Sequence, residues 1–222
     1  MPAFSDPSQR EPADQALIHP TPECSPTLQS PLRLGVMASG NGTNFEALVT
    51  SIAAGTLSAE IRLLVVNNPG CGAQQRAERL GVPCTVVDHR VLRDRVELDR
   101  ELVRRFRDAG VEGIVMAGWM RIVTPMLIQA FPGRLLNVHP SLLPSFRGLD
   151  AVGQALASGV TISGCTVHLV TEELDAGPIL AQAAVPVLDK DDHVSLAARI
   201  QRQEHRVLPQ AVLQAGLRWR QG

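Results

Sequence analysis

An excess of charge of either sign is missing from these 222 residues, in which 21 Lys and Arg stand against 22 Asp and Glu for a formal net charge of -1. With a sequence pI near 6.6, the chain has no broad cationic field for nucleic acid or anionic lipid, so any anion it binds is met by local groups. The 4 cysteines, Cys24, Cys71, Cys84 and Cys165, form no C-x-x-C pair, and no histidine stands at metal-ligand spacing. That pattern excludes a sequence-local zinc site and gives no disulfide framework, and it fits a reducing cytoplasm. No apolar run approaches the length of a membrane span, and the first residues carry proline and acidic side chains where a signal peptide needs a basic end and an apolar stretch. A soluble protein is expected, with no internal repeat. What is present is 45% hydrophobic residues in a length suited to one α/β core.

Residues 1–31 mix prolines with serines and scattered charges, a composition that buries too little surface to offset its ordering entropy. They are expected to be a disordered Pro-rich extension, followed by a single catalytic domain over 32–222. From Leu32 onward, short apolar runs alternate with helical spacing: LRLGVMAS, NFEALVTSIAAG, IRLLVV, GAQQRAERLG, PCTVVD, a long amphipathic stretch over 91–110, and GIVMAG. Strand and helix in alternation imply a parallel sheet with right-handed crossovers. A short helix opening at Thr124-Pro125, the strand LLNVHP and two strands joined through TEELDAG then follow, the last pair expected as an antiparallel hairpin at one edge. The chain closes on a helix that Pro209 is expected to kink or interrupt. The fold class is therefore α/β, a Rossmann-like, mostly parallel sheet flanked by helices with a C-terminal antiparallel strand pair.

Two places carry chemistry. Ser39-Gly40-Asn41-Gly42-Thr43-Asn44 lies between the first strand and the first helix, where free backbone N–H groups and the positive helix end face one space. The loop is neither a P-loop nor G-x-G-x-x-G and contains no lysine, which disfavours ATP or a dinucleotide and suits a monophosphate. Standing alone, it reads equally as a tight turn capping a helix. Downstream, Asn137 and His139 sit two apart on a strand ending at Pro140, hence on one face at the carboxyl edge of the sheet, where ligands of parallel α/β sheets bind. A nucleophile attacking a carbonyl carbon develops an oxyanion and requires proton movement. The Asn137 amide can donate to the oxyanion, and His139 can move the proton. Asp175 is the candidate acid that would stabilise a charged imidazole. Each residue separately has an ordinary structural alternative, as backbone satisfaction, core histidine or turn former.

SGNGTN, AGWMRI, NVHPSLLPSFRG, GCTVHLVTEELDAGP and QEHRVLP, in that order, resemble the phosphoribosylglycinamide formyltransferases, within the wider formyltransferase fold, from about Leu32 to Gly216. The resemblance implies formyl transfer from 10-formyltetrahydrofolate as co-substrate, without a metal, to the amine of glycinamide ribonucleotide in purine synthesis. It further implies that Gly42, Thr43 and Asn44 hold the phosphate and that Glu204 faces the sugar or glycinamide part. Arg95, Met120, Arg121, Ile122 and Val123 would line the folate site, which Asn137 also touches, and Asn137, His139 and Asp175 would be the catalytic set. Taken without it, the Met120 to Val123 stretch reads as core packing and Arg95 as a solvated helix residue. Val152 departs from the pattern, since many relatives carry histidine there, and Arg147-Gly148 is similar to the branch that formylates transfer RNA.

That branch is the nearest alternative, but a chain expected to end with its catalytic domain and without basic surplus is poorly suited to gripping a large polyanion. A deformylase has no use for a phosphate seat. A non-catalytic folate or sugar-phosphate sensor on the same fold would keep the same residues and would bind without turnover. The partners implied are small molecules, with no nucleic acid and no membrane.

Overall fold

The computed structural model describes residues 16–20 and 28–221. Its centre is an eight-stranded sheet of order β1-β8-β7-β6-β5-β2-β3-β4. The strands are β1 (Leu17–His19), β2 (Leu32–Ala38), β3 (Ala59–Val66), β4 (Cys84–Val86), β5 (Gly113–Met116), β6 (Leu135–His139), β7 (Ile162–Leu169) and β8 (Ile179–Pro186). Strands β4, β3, β2, β5 and β6 are parallel neighbours, and β7, β8 and β1 each add antiparallel. The helices are α1 (Thr43–Ala53), α2 (Gly72–Leu80), α3 (Arg95–Asp108), α4 (Pro125–Ala130), α5 (Ala151–Ala157) and α6 (His193–Trp219).

Period-two alternation sends successive strand residues to opposite faces. Val36 and Val66 join the core beneath α1, α2 and α6, whereas Met37 and Val65 join Leu98, Leu102, Phe106 and Leu127 of α3 and α4 on the other face. Gly35 is required by this packing, since a Cβ there would lie 2.6 Å from the Phe106 ring. Starting from β2, the chain builds outward through β3 and β4, then returns to place β5 on the other side of β2. The carboxyl ends of β2 and β5 therefore flank the topological switch point, where crossovers leave on opposite faces and open a crevice.

The α/β reading and the antiparallel C-terminal pair agree with this architecture, and four details differ. Within the segment expected to be a disordered extension, Leu17–His19 pairs antiparallel with β8 through Leu17 opposite Ala184. The expectation is corrected at those residues, and residues 1–15 and 21–27 lie outside the described part. The hairpin is consequently not at the very edge of the sheet. Helix α3 begins at Arg95 because the Asp94 side chain accepts the N–H groups of Val96 and Glu97, at 2.8 and 2.9 Å. Its amphipathic face buries Leu98, Leu102, Val103 and Phe106. Finally, α6 runs through Pro209 without interruption. Val207, Leu208, Ala211 and Val212 are all buried against the sheet on either side of that proline, and this packing outweighs one missing backbone hydrogen bond.

Candidate active site

The glycine loop follows β2 into the crevice. Gly42 adopts φ 76° at the N-cap of α1, and no side chain caps the helix. A side chain at Gly42 would be strained by that φ and would meet the Ala73 backbone at 2.6 Å. The first N–H groups of α1 are thus left without a side-chain cap, and neither Thr43 nor Asn44 serves as one. Beside it, Asn44 Nδ2 donates to Glu204 Oε2 at 2.7 Å across the α1–α6 contact. Both residues are buried, and Asn44 Oδ1 has no partner. Burial pushes the Glu204 carboxyl up, against the Asn44 N–H that favours its ionised form. The unpartnered Asn44 Oδ1 and the Glu204 carboxyl thus leave buried acceptors beside this helix N-terminus.

At the end of β6, antiparallel register sets Asn137 opposite His168 and His139 opposite Thr166. Asn137 Nδ2 lies 3.2 Å from His168 Nε2, and His168 Nδ1 lies 2.9 Å from the Leu169 carbonyl oxygen. Because a carbonyl only accepts, His168 Nδ1 donates to Leu169, which turns Nε2 toward the Asn137 amide and Asp175. His139 makes a different pattern. Its Nε2 donates to the Phe146 carbonyl at 2.8 Å, while Nδ1 faces Asp175 Oδ2 at 3.4 Å. The ring is thus held between the Phe146 carbonyl on one side and the Asp175 carboxylate on the other.

Asp175 ties the cluster together. Its Oδ2 accepts the Gly148 N–H at 2.9 Å, and its Oδ1 lies 3.6 Å from His168 Nε2. Burial pushes the carboxyl up, but the His168 side chain, the Gly148 N–H and the field of His139 outweigh it and hold the group below the usual carboxylate range. Asp175 is 8% and His139 5% exposed, so neither contact is a screened surface pair. Two non-glycine residues with left-handed backbone contribute to this cluster, Phe146 at φ 55° and Asp175 at φ 50°. Such strain persists only where neighbouring contacts over-determine it, and here it turns the Phe146 carbonyl and the Asp175 carboxyl toward one histidine.

The remaining sequence candidates fall on the rim. Met120 is 71% and Ile122 56% exposed, which corrects their reading as core packing; Arg121 and Val123 are half-buried. Arg95, at the start of α3, is exposed and makes no hydrogen bond or ion pair with the described residues. Val152 is buried in α5, and Arg147 pairs with Glu173 at 2.7 Å. His168 was missed by sequence reasoning because its neighbourhood with Asn137 exists only through β6–β7 register. The alternation in GCTVHLV, which puts Thr166 and His168 on one face, is the signal that carries it. Among the described residues no three His, Cys, Asp or Glu side chains gather as a metal site, and no helix is long and apolar enough to cross a membrane.

Comparison with known proteins places this geometry in context. A family model described as formyl transferase matches residues 32–212. Phosphoribosylglycinamide formyltransferase of Bacillus subtilis is 38% identical over 182 residues, covering 82% of this chain and 93% of that protein. The trifunctional purine biosynthetic protein adenosine-3 of Gallus gallus is 44% identical over 181 residues, and the chain spans only 18% of its length. Among solved structures, glycinamide ribonucleotide transformylase 1 from Symbiobacterium toebii superimposes with a TM-score of 0.81 at 40% identity, over 83% of this chain and 87% of that one.

Proposed function

The chain belongs to the formyl transferase family, and we propose that it transfers the formyl group of 10-formyltetrahydrofolate to the amine of 5'-phosphoribosylglycinamide. The products are N-formylglycinamide ribonucleotide and tetrahydrofolate, a step of de novo purine synthesis carried out in the cytoplasm. The observation that carries this reading is that the neighbouring parallel strands β2, β5 and β6 bring to one carboxyl edge of the sheet an uncapped helix N-terminus beside the Asn44–Glu204 pair and the Asn137, His139 and Asp175 cluster. One suits a phosphorylated acceptor and the other an acyl-transfer centre.

In this mechanism Gly42, Thr43 and Asn44 bind the phosphate, and Glu204 accepts from the sugar or glycinamide part. The exposed apolar side chains of Met120 and Ile122, with Arg121 and Val123 between and beside them, offer a wall to a flat folate ring, and Arg95 supplies charge for its acidic end. The acceptor nitrogen attacks the formyl carbon, a C–N bond forms, and the carbonyl oxygen becomes an oxyanion. The Asn137 amide donates to that oxyanion. His139 Nδ1–H, held at a loose 3.4 Å from Asp175, turns to the same oxygen, since such contacts tighten around the reacting group. Collapse breaks the bond from carbon to N10. The proton lost by the attacking amine reaches N10 through His139 and Asp175, and no covalent enzyme intermediate or metal is used. Residues 32–222 act as one catalytic domain, with small molecules as its ligands.

The test mixes purified protein with 10-formyltetrahydrofolate, with and without glycinamide ribonucleotide, and follows tetrahydrofolate release by absorbance. Release that requires the ribonucleotide is the expected result. Release without it means water is the acceptor and sinks the assignment.

A further inference from the structure

The segment between β5 and α4, residues 117–124, carries the proposed folate wall, and its two ends are held by buried side chains from distant elements. At one end, Ser39 of the phosphate loop is 5% exposed. Its Oγ accepts the Met120 N–H at 2.9 Å and its own N–H donates to the Gly118 carbonyl at 3.0 Å. At the other end stands Asp99, 2% exposed on the face of α3 that otherwise buries Leu98, Leu102, Val103 and Phe106. Its Oδ2 accepts the Thr124 N–H at 2.5 Å. Packing alone favours a leucine at such a position, and a buried carboxylate is retained against its desolvation cost when it holds something. Burial pushes the Asp99 carboxyl up, while the Thr124 N–H and the Arg121 guanidinium act in the opposite direction. Arg121, in the middle of the segment, acts on Asp99 through its charge and has its Nε buried without a hydrogen-bond partner.

We propose that Asp99 is a positioning residue for the formyl donor: by pinning Thr124 while Ser39 pins Met120, it keeps residues 120–123 stretched in the shape that receives the folate ring. The inference rests on the reading of that segment as the folate wall. A wall ordered before binding loses little freedom when the donor arrives, so the pin acts on donor affinity and leaves the phosphate seat alone. Ser39 belongs to the glycine loop, and the donor wall is thereby hung between the acceptor's loop and α3.

The experiment compares full-length Asp99→Leu, which removes the acceptor at similar volume, with Asp99→Asn, which keeps one acceptor oxygen. The Leu variant should raise KM for 10-formyltetrahydrofolate about tenfold and the Asn variant less, with KM for glycinamide ribonucleotide within about twofold of wild type. An unchanged donor KM, or equal rises in both KM values, overturns the proposal. If the Leu variant does not fold, hydrogen–deuterium exchange on the Asn variant decides. Faster exchange at residues 120–124 than at residues 40–44 supports the pin; no change, or equal change in both segments, removes it. Exchange needs no substrate, so a wild-type protein that transfers no formyl group would sink the functional reading separately from the pin.

Discussion

His139 and His168 are both buried histidines within 4 Å of one carboxylate, yet their other partners give them different work. His168 donates Nδ1–H to the Leu169 carbonyl and turns Nε2 toward Asn137 and Asp175. His139 lies between the Phe146 carbonyl and Asp175, and in the proposed mechanism it carries the proton. Replacing His139 with Ala should therefore lower kcat by about 100-fold or more, while isothermal titration with glycinamide ribonucleotide gives an affinity close to wild type. Near-normal turnover in that variant removes the role assigned to the imidazole. Asp175 is held below the usual carboxylate range and stays ionised through neutral and mildly acidic pH. In Asp175→Asn the negative charge beside His139 is gone, so protonation of the ring is disfavoured and the corresponding limb of the kcat profile should move to lower pH. A profile that falls in height without moving would assign Asp175 to geometry alone.

At the scale of elements, the proposed acceptor site lies where β2 ends and α1 begins, and the shape of the loop there depends on the backbone angle of Gly42. Gly42→Ala adds a methyl group to a residue at φ 76° and drives it into the Ala73 backbone. The loop must shift to relieve this, and the N–H groups of α1 shift with it. We expect KM for glycinamide ribonucleotide to rise about tenfold or more, with the donor KM far less affected. Gly40→Ala is the control, because its Cβ would meet nothing within 4 Å. Equal behaviour of the two variants would show that the loop's curvature does not hold the phosphate. The α1–α6 contact contributes the other wall: Asn44 and Glu204 are 160 residues apart in sequence and 2.7 Å apart in space.

For the whole molecule, the long helix α6 closes one face of the sheet, and its entry is locked by a buried ion pair. Asp191 accepts from the Arg199 guanidinium through both oxygens, and their side chains are 3% and 8% exposed. The Arg199 hydrogen bonds, helped by the Leu188 N–H and Ser195 against the cost of burial, lower the Asp191 carboxyl to about 2. Since the folded value lies below the unfolded one, the pair's stabilisation is complete above about pH 4 and is lost as pH falls toward 2. It amounts to about 2 kcal/mol. Urea unfolding of Asp191→Asn should thus show a deficit at pH 7 that narrows below pH 4. A deficit independent of pH would mean that packing, not charge, accounts for the loss.

Alternating apolar runs and helical spacing were enough to read the α/β order, the parallel sheet and the placement of SGNGTN and N-x-H at carboxyl strand ends, because those features depend on periods of 2 and 3.6 residues within one segment. Asn137 and His139 were legible for the same reason, being two apart on one strand. His168, Asp99 and Ser39 were not, since each acquires its meaning from a residue between 25 and 81 positions away. Strand register brings His168 to Asn137, helix–loop packing brings Asp99 to Thr124, and the neighbouring ends of β2 and β5 bring Ser39 to Met120. The exposure of Met120 and Ile122 and the continuity of α6 through Pro209 belong to the same class. Local propensity favours burying the first two and breaking the last. The packing of the surrounding elements outweighs both preferences.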